Sequence, residues 1–231
     1  MQFKPGRYVR LTGQERWAFQ FAHAPSVRRT LLEIEKLEPS WHLENAPYPP
    51  RYGRYSADEP IFGWSIPRNT AFYLYSLVTA TKSVRALEIG TSFAYSTIWL
   101  GSALSRTGGR ITTCEIFERK IEIARRFIKR SGLRNITLIP GDATAFMRRQ
   151  SGKFDFVLLD ADATEYASYL PWLRQHVSIK GLLAMDNALS HADVTSDFVS
   201  QLQKDRAWTV WLWPYDHGLV LARKVSRARR R

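Results

Sequence analysis

The chain has 231 residues, 45% hydrophobic and 24% charged, enough for one large domain or two small ones with an ordinary core, which excludes disorder for most of its length. A single cysteine, Cys114, closes no disulfide within its own chain, and no paired Cys/His spacing marks a structural zinc site, so a disulfide-stapled secreted scaffold is out. The balance of 34 Lys and Arg against 21 Asp and Glu gives +13, which favours a polyanionic partner.

The densest basic cluster is the tail Arg223, Lys224, Arg227, Arg229, Arg230 and Arg231, and this reads as a solvated terminus rather than a nucleic-acid grip. No apolar run reaches the ~18 residues that span a bilayer, and the basic start is not followed by a signal-peptide stretch. The expectation is a cytoplasmic chain with no membrane partner.

In chain order, residues 1–60 form an N-terminal extension of short helices and loop, a cap or dimer element, with scattered Tyr and Trp and the run Ala46-Pro47-Tyr48-Pro49-Pro50. Within it, Leu31, Leu32, Ile34 and Leu37 predict a helix over 28–37 that Pro39 stops. A second helix over 69–79 follows Pro67, with Ala71, Leu74 and Val78 on one face. From residue 84 the chain alternates short apolar runs with helical patterns, as βαβ units of a parallel sheet do. The predicted strands are 84–89, 110–115, 135–139, 154–159 and 181–185. The clearest helix lies between the second and third. It carries Phe117, Ile121, Ala124 and Ile128 on one stripe, Arg125, Arg126, Lys129 and Arg130 on others, and Gly132 as its C-cap. A helix around 196–203 precedes two last apolar runs, 208–213 and 218–223, whose spacing across Pro214-Tyr215-Asp216-His217 predicts an antiparallel hairpin at the sheet edge. The fold class is α/β.

In such sheets a ligand binds at the carboxyl ends of the strands, and here every predicted strand ends in an acid: Glu88, Glu115, Asp142, Asp160 with Asp162, and Asp186 followed by Asn187. One alone reads as a cap or turn residue. Five on one rim repel one another unless a cation or a hydroxyl-rich ligand separates them. Glu88, Gly90 and Glu115 resemble a nucleoside-binding arrangement, with glycine admitting close approach and the second carboxylate accepting ribose hydroxyls. The P-loop Gly-Lys-Ser/Thr is missing and only Gly90 stands where a dinucleotide fingerprint has three glycines, so neither a triphosphate nor NAD fits. Asp160, Asp186 and Asn187 are hard oxygen donors suited to Mg²⁺, Mn²⁺ or Ca²⁺.

Four runs stand out in order: Leu87-Glu88-Ile89-Gly90-Thr91-Ser92-Phe93-Ala94-Tyr95-Ser96-Thr97; Phe154-Asp155-Phe156-Val157-Leu158-Leu159-Asp160-Ala161-Asp162 with Tyr166 and Tyr169; Gly181-Leu182-Leu183-Ala184-Met185-Asp186-Asn187; and Asp216-His217-Gly218-Leu219-Val220-Leu221-Ala222. Together they resemble the motifs of the caffeoyl-CoA/catechol type of S-adenosylmethionine-dependent O-methyltransferases. The resemblance implies a Rossmann-like, seven-stranded, mostly parallel sheet with the last strand antiparallel and helices on both faces, a methyltransferase domain over 61–224 and a basic tail over 225–231. It also implies a homodimer. Glu88, Gly90, Thr91 and Ser96 would line the methionine and sugar end of S-adenosylmethionine, Glu115 its ribose, Asp142 and Ala143 its adenine, with Asp162 close by. Asp160, Asp186 and Asn187 would hold the divalent cation, Asp160 serving catalysis. The acceptor would be a hydroxylated aromatic small molecule of catechol type.

Two positions depart from the family pattern. Ala94 stands where the family usually has glycine, and Ala163 where it typically has a lysine that assists deprotonation of the acceptor. An alanine takes no proton, so the acidity comes from the metal, or His191 or His217 substitutes, or the acceptor differs. The aromatics Tyr48, Tyr52, Tyr55, Phe62 and Trp64 offer either a cover for a flat acceptor or subunit packing. Two rival readings stand beside the small-molecule enzyme: a tRNA hydroxyuridine-type O-methyltransferase, which the net charge suits, and a cofactor-binding member with altered chemistry.

Overall fold

Alternation along β1 (Arg85–Ile89) decides the layering of the molecule. Ala86 and Glu88 point to one face, Leu87 and Ile89 to the other, and all four are buried, as a central strand covered on both faces requires. In the computed structural model, which describes residues 24–37, 61–214 and 216–225, β1 is an interior strand, third in the order of a seven-stranded sheet. The sheet comprises β1, β2 (Arg110–Glu115), β3 (Ile136–Pro140), β4 (Phe154–Leu159), β5 (Val177–Met185), β6 (Trp208–Trp213) and β7 (Leu219–Lys224), in the order β3-β2-β1-β4-β5-β7-β6. The first five run parallel. β7 is antiparallel to both its neighbours, β5 and β6, so the hairpin predicted at the edge is present, with β7 inserted and β6 outermost.

One helical layer contains α1 (Pro25–Leu37), α2 (Arg68–Ala80), α3 (Tyr95–Thr107) and α4 (Glu118–Ser131), packed through Leu31, Ile34, Leu74, Val78, Ile98, Leu100, Ala124 and Phe127. The other contains α5 (Ala143–Met147), α6 (Tyr166–His176) and α7 (Ala192–Lys204), packed through Met147, Tyr166, Leu170, Leu173, Phe198 and Leu202. α1 belongs to the first layer in full, since Val27, Leu31 and Ile34 are buried and Ser26 Oγ donates to Ser131 O at 2.9 Å. A polar joint reinforces it: Glu35 accepts from Arg68 Nε at 2.9 Å and from Tyr95 Oη at 2.5 Å, tying α1 to the first turns of α2 and α3.

The strand and helix boundaries depart from the sequence expectation in identifiable ways. β5 starts at Val177, four residues early, because its first half is exposed at Ile179 and Lys180 and shifts register against β4; a broken alternation hides a strand. α7 starts at Ala192 rather than near 196. α3, α5 and α6 have no counterpart in the predicted elements: α3 is buried around its whole circumference from Tyr95 to Leu104 and so shows no one-sided stripe, α5 is a single short turn of five residues, and α6 has its stripe at Tyr166, Tyr169, Leu170 and Leu173 but carries the helix-breaking signal of Pro171. The run 46–50, the aromatics Tyr48, Tyr52 and Tyr55, and the tail from Arg227 lie outside the described residues.

Parallel strands deliver all their carboxyl ends to one rim. With β2 and β4 on opposite sides of β1, the strand order reverses there, which is where ligands bind in sheets of this kind.

Candidate active site

The turn after β1 is the tightest piece of backbone on the rim. Gly90 has φ +99°, and a Cβ on it would lie 2.0 Å from the Asp160 carbonyl oxygen, so glycine is the residue that lets the β1 and β4 ends come together. Ser92 and Ala94 also sit at positive φ, 47° and 68°. Ala94 therefore occupies a left-handed N-cap where its methyl group strains the backbone rather than relaxing it. The turn is held by Gly90 N–H donating to Cys114 O at 3.1 Å, and by Ser92, whose N–H donates to Glu115 Oε2 at 2.7 Å and whose hydroxyl donates to the Gly63 carbonyl.

Glu88 lies beneath this turn, fully buried on the α3 side. Its Oε2 accepts from Thr97 Oγ1 and, at 2.6 Å, from Thr113 Oγ1, which faces it in the β1–β2 register and in turn meets Thr91 Oγ1 at 2.6 Å. Oε1 is buried with no hydrogen bond from the described residues. Burial pushes the Glu88 carboxyl up to about 7, against the pull of the neighbouring hydroxyls of Ser96, Thr113 and Thr97 and with a smaller push from Glu115. Thr91 and Ser96 are themselves buried, at 1% and 5% exposure, so they support the turn from inside.

Glu115, at the end of β2, is buried and held by backbone: Ser92 N–H reaches one oxygen at 2.7 Å, and the Ile116 and Phe117 N–H groups reach the other at 2.9 Å each. Asp142, exposed at the end of β3, caps α5 by accepting from Thr144 N–H at 2.5 Å and Ala145 N–H at 3.2 Å, with Ala143 opening the helix. Beside it, Gly141 has φ +108°, and a Cβ there would meet nothing within 4 Å; the space is open. Asp162 caps a 3₁₀ turn, Ala163–Glu165, accepting from Thr164 N–H at 3.0 Å and Thr164 Oγ1 at 2.7 Å. The cap reading and the ligand reading thus apply to the same side chains.

The β4 and β5 ends are arranged differently. Leu159 and Met185 are register partners, and Asp186 N–H donates to Leu159 O at 3.3 Å, so Asp160 and Asp186 leave adjacent strands side by side. Asp186 is buried, and its Oδ1 has no partner among the described residues. Burial first, and then their mutual repulsion, drives the Asp160 carboxyl well above the carboxylate range, and burial raises that of Asp186 as well, with Asp216 adding to it. Asn187 sits at φ +62°, its Oδ1 accepting from Ser190 Oγ at 3.2 Å. The turn is clamped by Tyr166, whose hydroxyl accepts from Ala161 N–H at 2.7 Å and donates to Ala161 O at 2.9 Å.

The rim residues fit a divalent cation. Two repelling carboxylates, one with an orphaned buried oxygen, and a carboxamide beside them form a hard oxygen set short of positive charge. No three His, Cys, Asp or Glu side chains gather as a metal cluster among the described residues; the oxygen available beside the two carboxylates is that of the Asn187 amide. Ala163 is buried at 6% exposure against the apolar layer, so no proton acceptor comes from that position. His191 and His217 flank the β5 end, where Leu189 and Ser190 N–H groups donate to His217 O at 2.9 and 3.1 Å, and His191 Nδ1 meets Ser190 Oγ at 2.9 Å. Burial holds both imidazoles below the ordinary histidine range. Thr70 in α2 reaches the same end, donating to Asp216 Oδ2 at 2.5 Å.

Sequence reasoning did not single out Thr113, Lys120 or Thr70 as site residues. Thr113 had no readable signal: aligning the predicted ends of the two strands sets Cys114 opposite Glu88, and the observed register, one residue off, brings Thr113 there instead. Thr70 had none, its partner lying far along the chain.

The family model for O-methyltransferases matches residues 52–224, and the chain belongs to that family. It is similar to the catechol O-methyltransferase of Niastella koreensis, 28% identical over 138 residues that make up 58% of this chain and 62% of that protein. It is likewise similar to the caffeoyl-CoA O-methyltransferase of Populus kitakamiensis, 28% identical over 143 residues, 59% of this chain and 60% of that one. The chain thus spans less than two thirds of the length of these curated relatives. Among solved structures, the O-methyltransferase from Bacillus cereus in complex with SAH superposes with a TM-score of 0.69 at 22% identity, covering 85% of this chain and 90% of that one, a likeness of fold.

Proposed function

We propose that the protein transfers the methyl group of S-adenosylmethionine to a hydroxyl of a catechol-like aromatic small molecule with the help of a divalent cation. The observation that carries the reading is the pair Asp160 and Asp186 beside Asn187, carboxyl groups that repel each other, that of Asp186 buried, at the β4 and β5 ends next to the switch point of a fold whose family is O-methyltransferases. The transfer is an in-line displacement: an acceptor oxygen attacks the methyl carbon, the carbon–sulfur bond breaks, its electron pair stays on sulfur, and the hydroxyl proton departs. The rate therefore depends on alignment.

The chain's own residues do the aligning. Gly90 and the turn it permits bring the β1 and β4 ends close enough for cofactor and acceptor to meet. Glu115, fixed in orientation by three backbone amides, keeps lone pairs for the ribose hydroxyls, and the open flank of Gly141 beside Asp142 and Ala143 leaves room for adenine. Asp160, Asp186 and Asn187 would hold the cation, which when bound supplies Lewis acidity that lowers the pKa of a catechol hydroxyl. With alanine at 163, the first base beyond water is the neutral imidazole of His191 or His217.

The relatives' names, catechol and caffeoyl-CoA, support a small-molecule acceptor over RNA. We also propose a homodimer, for which exposed Trp211 and Trp213, on one face of the outermost strand, provide an apolar surface, and a reducing, cytoplasmic setting for the buried thiol of Cys114. No helix among the described residues is long and apolar enough to cross a membrane.

Incubation with methyl-labelled cofactor, Mg²⁺ and a panel of catechols tests the reading, with a tRNA pool as the parallel arm. Labelled catechol ether that disappears with chelator supports it; label in tRNA, or in no acceptor, overturns it.

A further inference from the structure

Residues 61–67 cross over the ends of β1 and β2 on their way into α2 and touch the rim at two places. At the first, the Gly63 carbonyl accepts the Ser92 hydroxyl from within the β1 turn. At the second, the Trp64 ring lies over Lys120, whose Nζ is 4.5 Å from its centroid and 5.7 Å from that of Phe117. Trp64 has φ +44° and is 36% exposed, with Phe62 stacked at 6.1 Å on its own segment.

Lys120 is the unusual member. It is in the first turn of α4 and only 4% exposed, and burying an ammonium is costly unless its charge is met. Two aromatic faces meet part of it, and the acids of the rim meet more: Lys120 is near enough to Asp160 to draw its carboxyl downward against the other influences there. An exposed tryptophan in a left-handed conformation does not hold itself in place. The packing on one side is the ammonium, and the tie on the other is Ser92.

We infer that Lys120 is a positioning residue: clasped between Trp64 and Phe117, its ammonium holds residues 61–67 across the ends of β1 and β2 and so sets the wall of the cofactor site. The inference rests on the S-adenosylmethionine site proposed above. It assigns Lys120 no part in proton transfer. Its effect passes through Trp64 to the cofactor, so it governs cofactor affinity more than turnover at saturation.

The test is calorimetric titration with S-adenosylhomocysteine, followed by steady-state kinetics in S-adenosylmethionine. Lys120→Met removes the charge at similar volume and is expected to weaken binding about tenfold and to raise KM for the cofactor in parallel, leaving kcat within about twofold. Lys120→Arg keeps a cation over the ring and is expected to stay within about threefold of wild type. Trp64→Leu, at an exposed position, is expected to reproduce the loss, and combining it with Lys120→Met to add little, because the two changes break one contact. A folded Lys120→Met protein that binds like wild type, or losses that multiply in the double variant, overturns the inference. If Lys120→Met does not fold, Trp64→Leu against Trp64→Phe decides: weakened binding only in the leucine variant supports the clasp, and equal affinities overturn it. A wild-type protein that takes up no S-adenosylhomocysteine overturns the reading of the site itself.

Discussion

Glu115 and Asp142 direct their oxygens to backbone amides, three for the first and two for the second. Asp160 and Asp186, one and two strands to the other side of β1, face each other instead, and the Asp186 Oδ1 atom lies buried without a partner among the described residues. Two halves of one rim thus carry the same residue type in opposite states. Acids on the β2–β3 side are settled by the fold and offer a fixed surface to a ligand. Acids on the β4–β5 side store repulsion that positive charge relieves. Only in the second half does the repulsion cost stability, so mutation should separate them.

The largest expected effect is on catalysis from the unsettled half. Asp160→Ala and Asp186→Ala are expected to lower transfer by roughly 10³-fold, equal to about 4 kcal/mol, while melting at pH 8 no lower than wild type because a buried repulsion has gone. A thermal melt beside a turnover assay checks both, and a large loss of melting temperature would break the contrast between the halves. At the hinge of the two halves, Gly90→Ala places a methyl group against the Asp160 carbonyl in a backbone conformation alanine avoids. A stability loss above about 3 kcal/mol is expected in denaturant titration.

Glu88 belongs to the unsettled class although it sits on β1, and the sign of its pH dependence says so. In the folded protein its carboxyl holds its proton up to about 7, whereas the unfolded chain releases it near the ordinary glutamate value of 4.5. Its contribution is complete below pH 4.5, declines as pH rises, and is lost above 7. Glu88→Gln is expected to remove roughly 3 kcal/mol of this decline, measured as the difference between mutant and wild-type stability across that window; parallel curves would contradict the assignment. The smallest effect belongs to the settled half: Asp142→Ala should cost about 1 kcal/mol, the loss of one helix cap, with no change in the pH profile of turnover.

Much of this was legible in the sequence. The strand ends were readable because parallel strands buried on both faces are near-continuous apolar runs, and β2 and β4 were bounded to the residue by their polar neighbours. The acids were readable because each terminates such a run. What distinguishes Glu115 from Asp186 was not readable: both are acids after an apolar strand, and only the folded turn shows that one meets three N–H groups and the other meets a second carboxylate. α3 was hidden because a helix buried all round has no stripe, and the first half of β5 because an exposed bulge breaks alternation. Thr70 and Asp216, or Trp64 and Lys120, meet through tertiary packing that local pattern does not encode.

That the β4–β5 half binds a dication, as proposed, is tested by calorimetric titration of Mn²⁺ or Mg²⁺ into the protein near pH 7 in buffers of different ionisation enthalpy. Binding with release of protons from the Asp160 and Asp186 pair, abolished in Asp186→Asn, is the predicted result. Absence of any cation uptake, or uptake undiminished by Asp186→Asn, would contradict it.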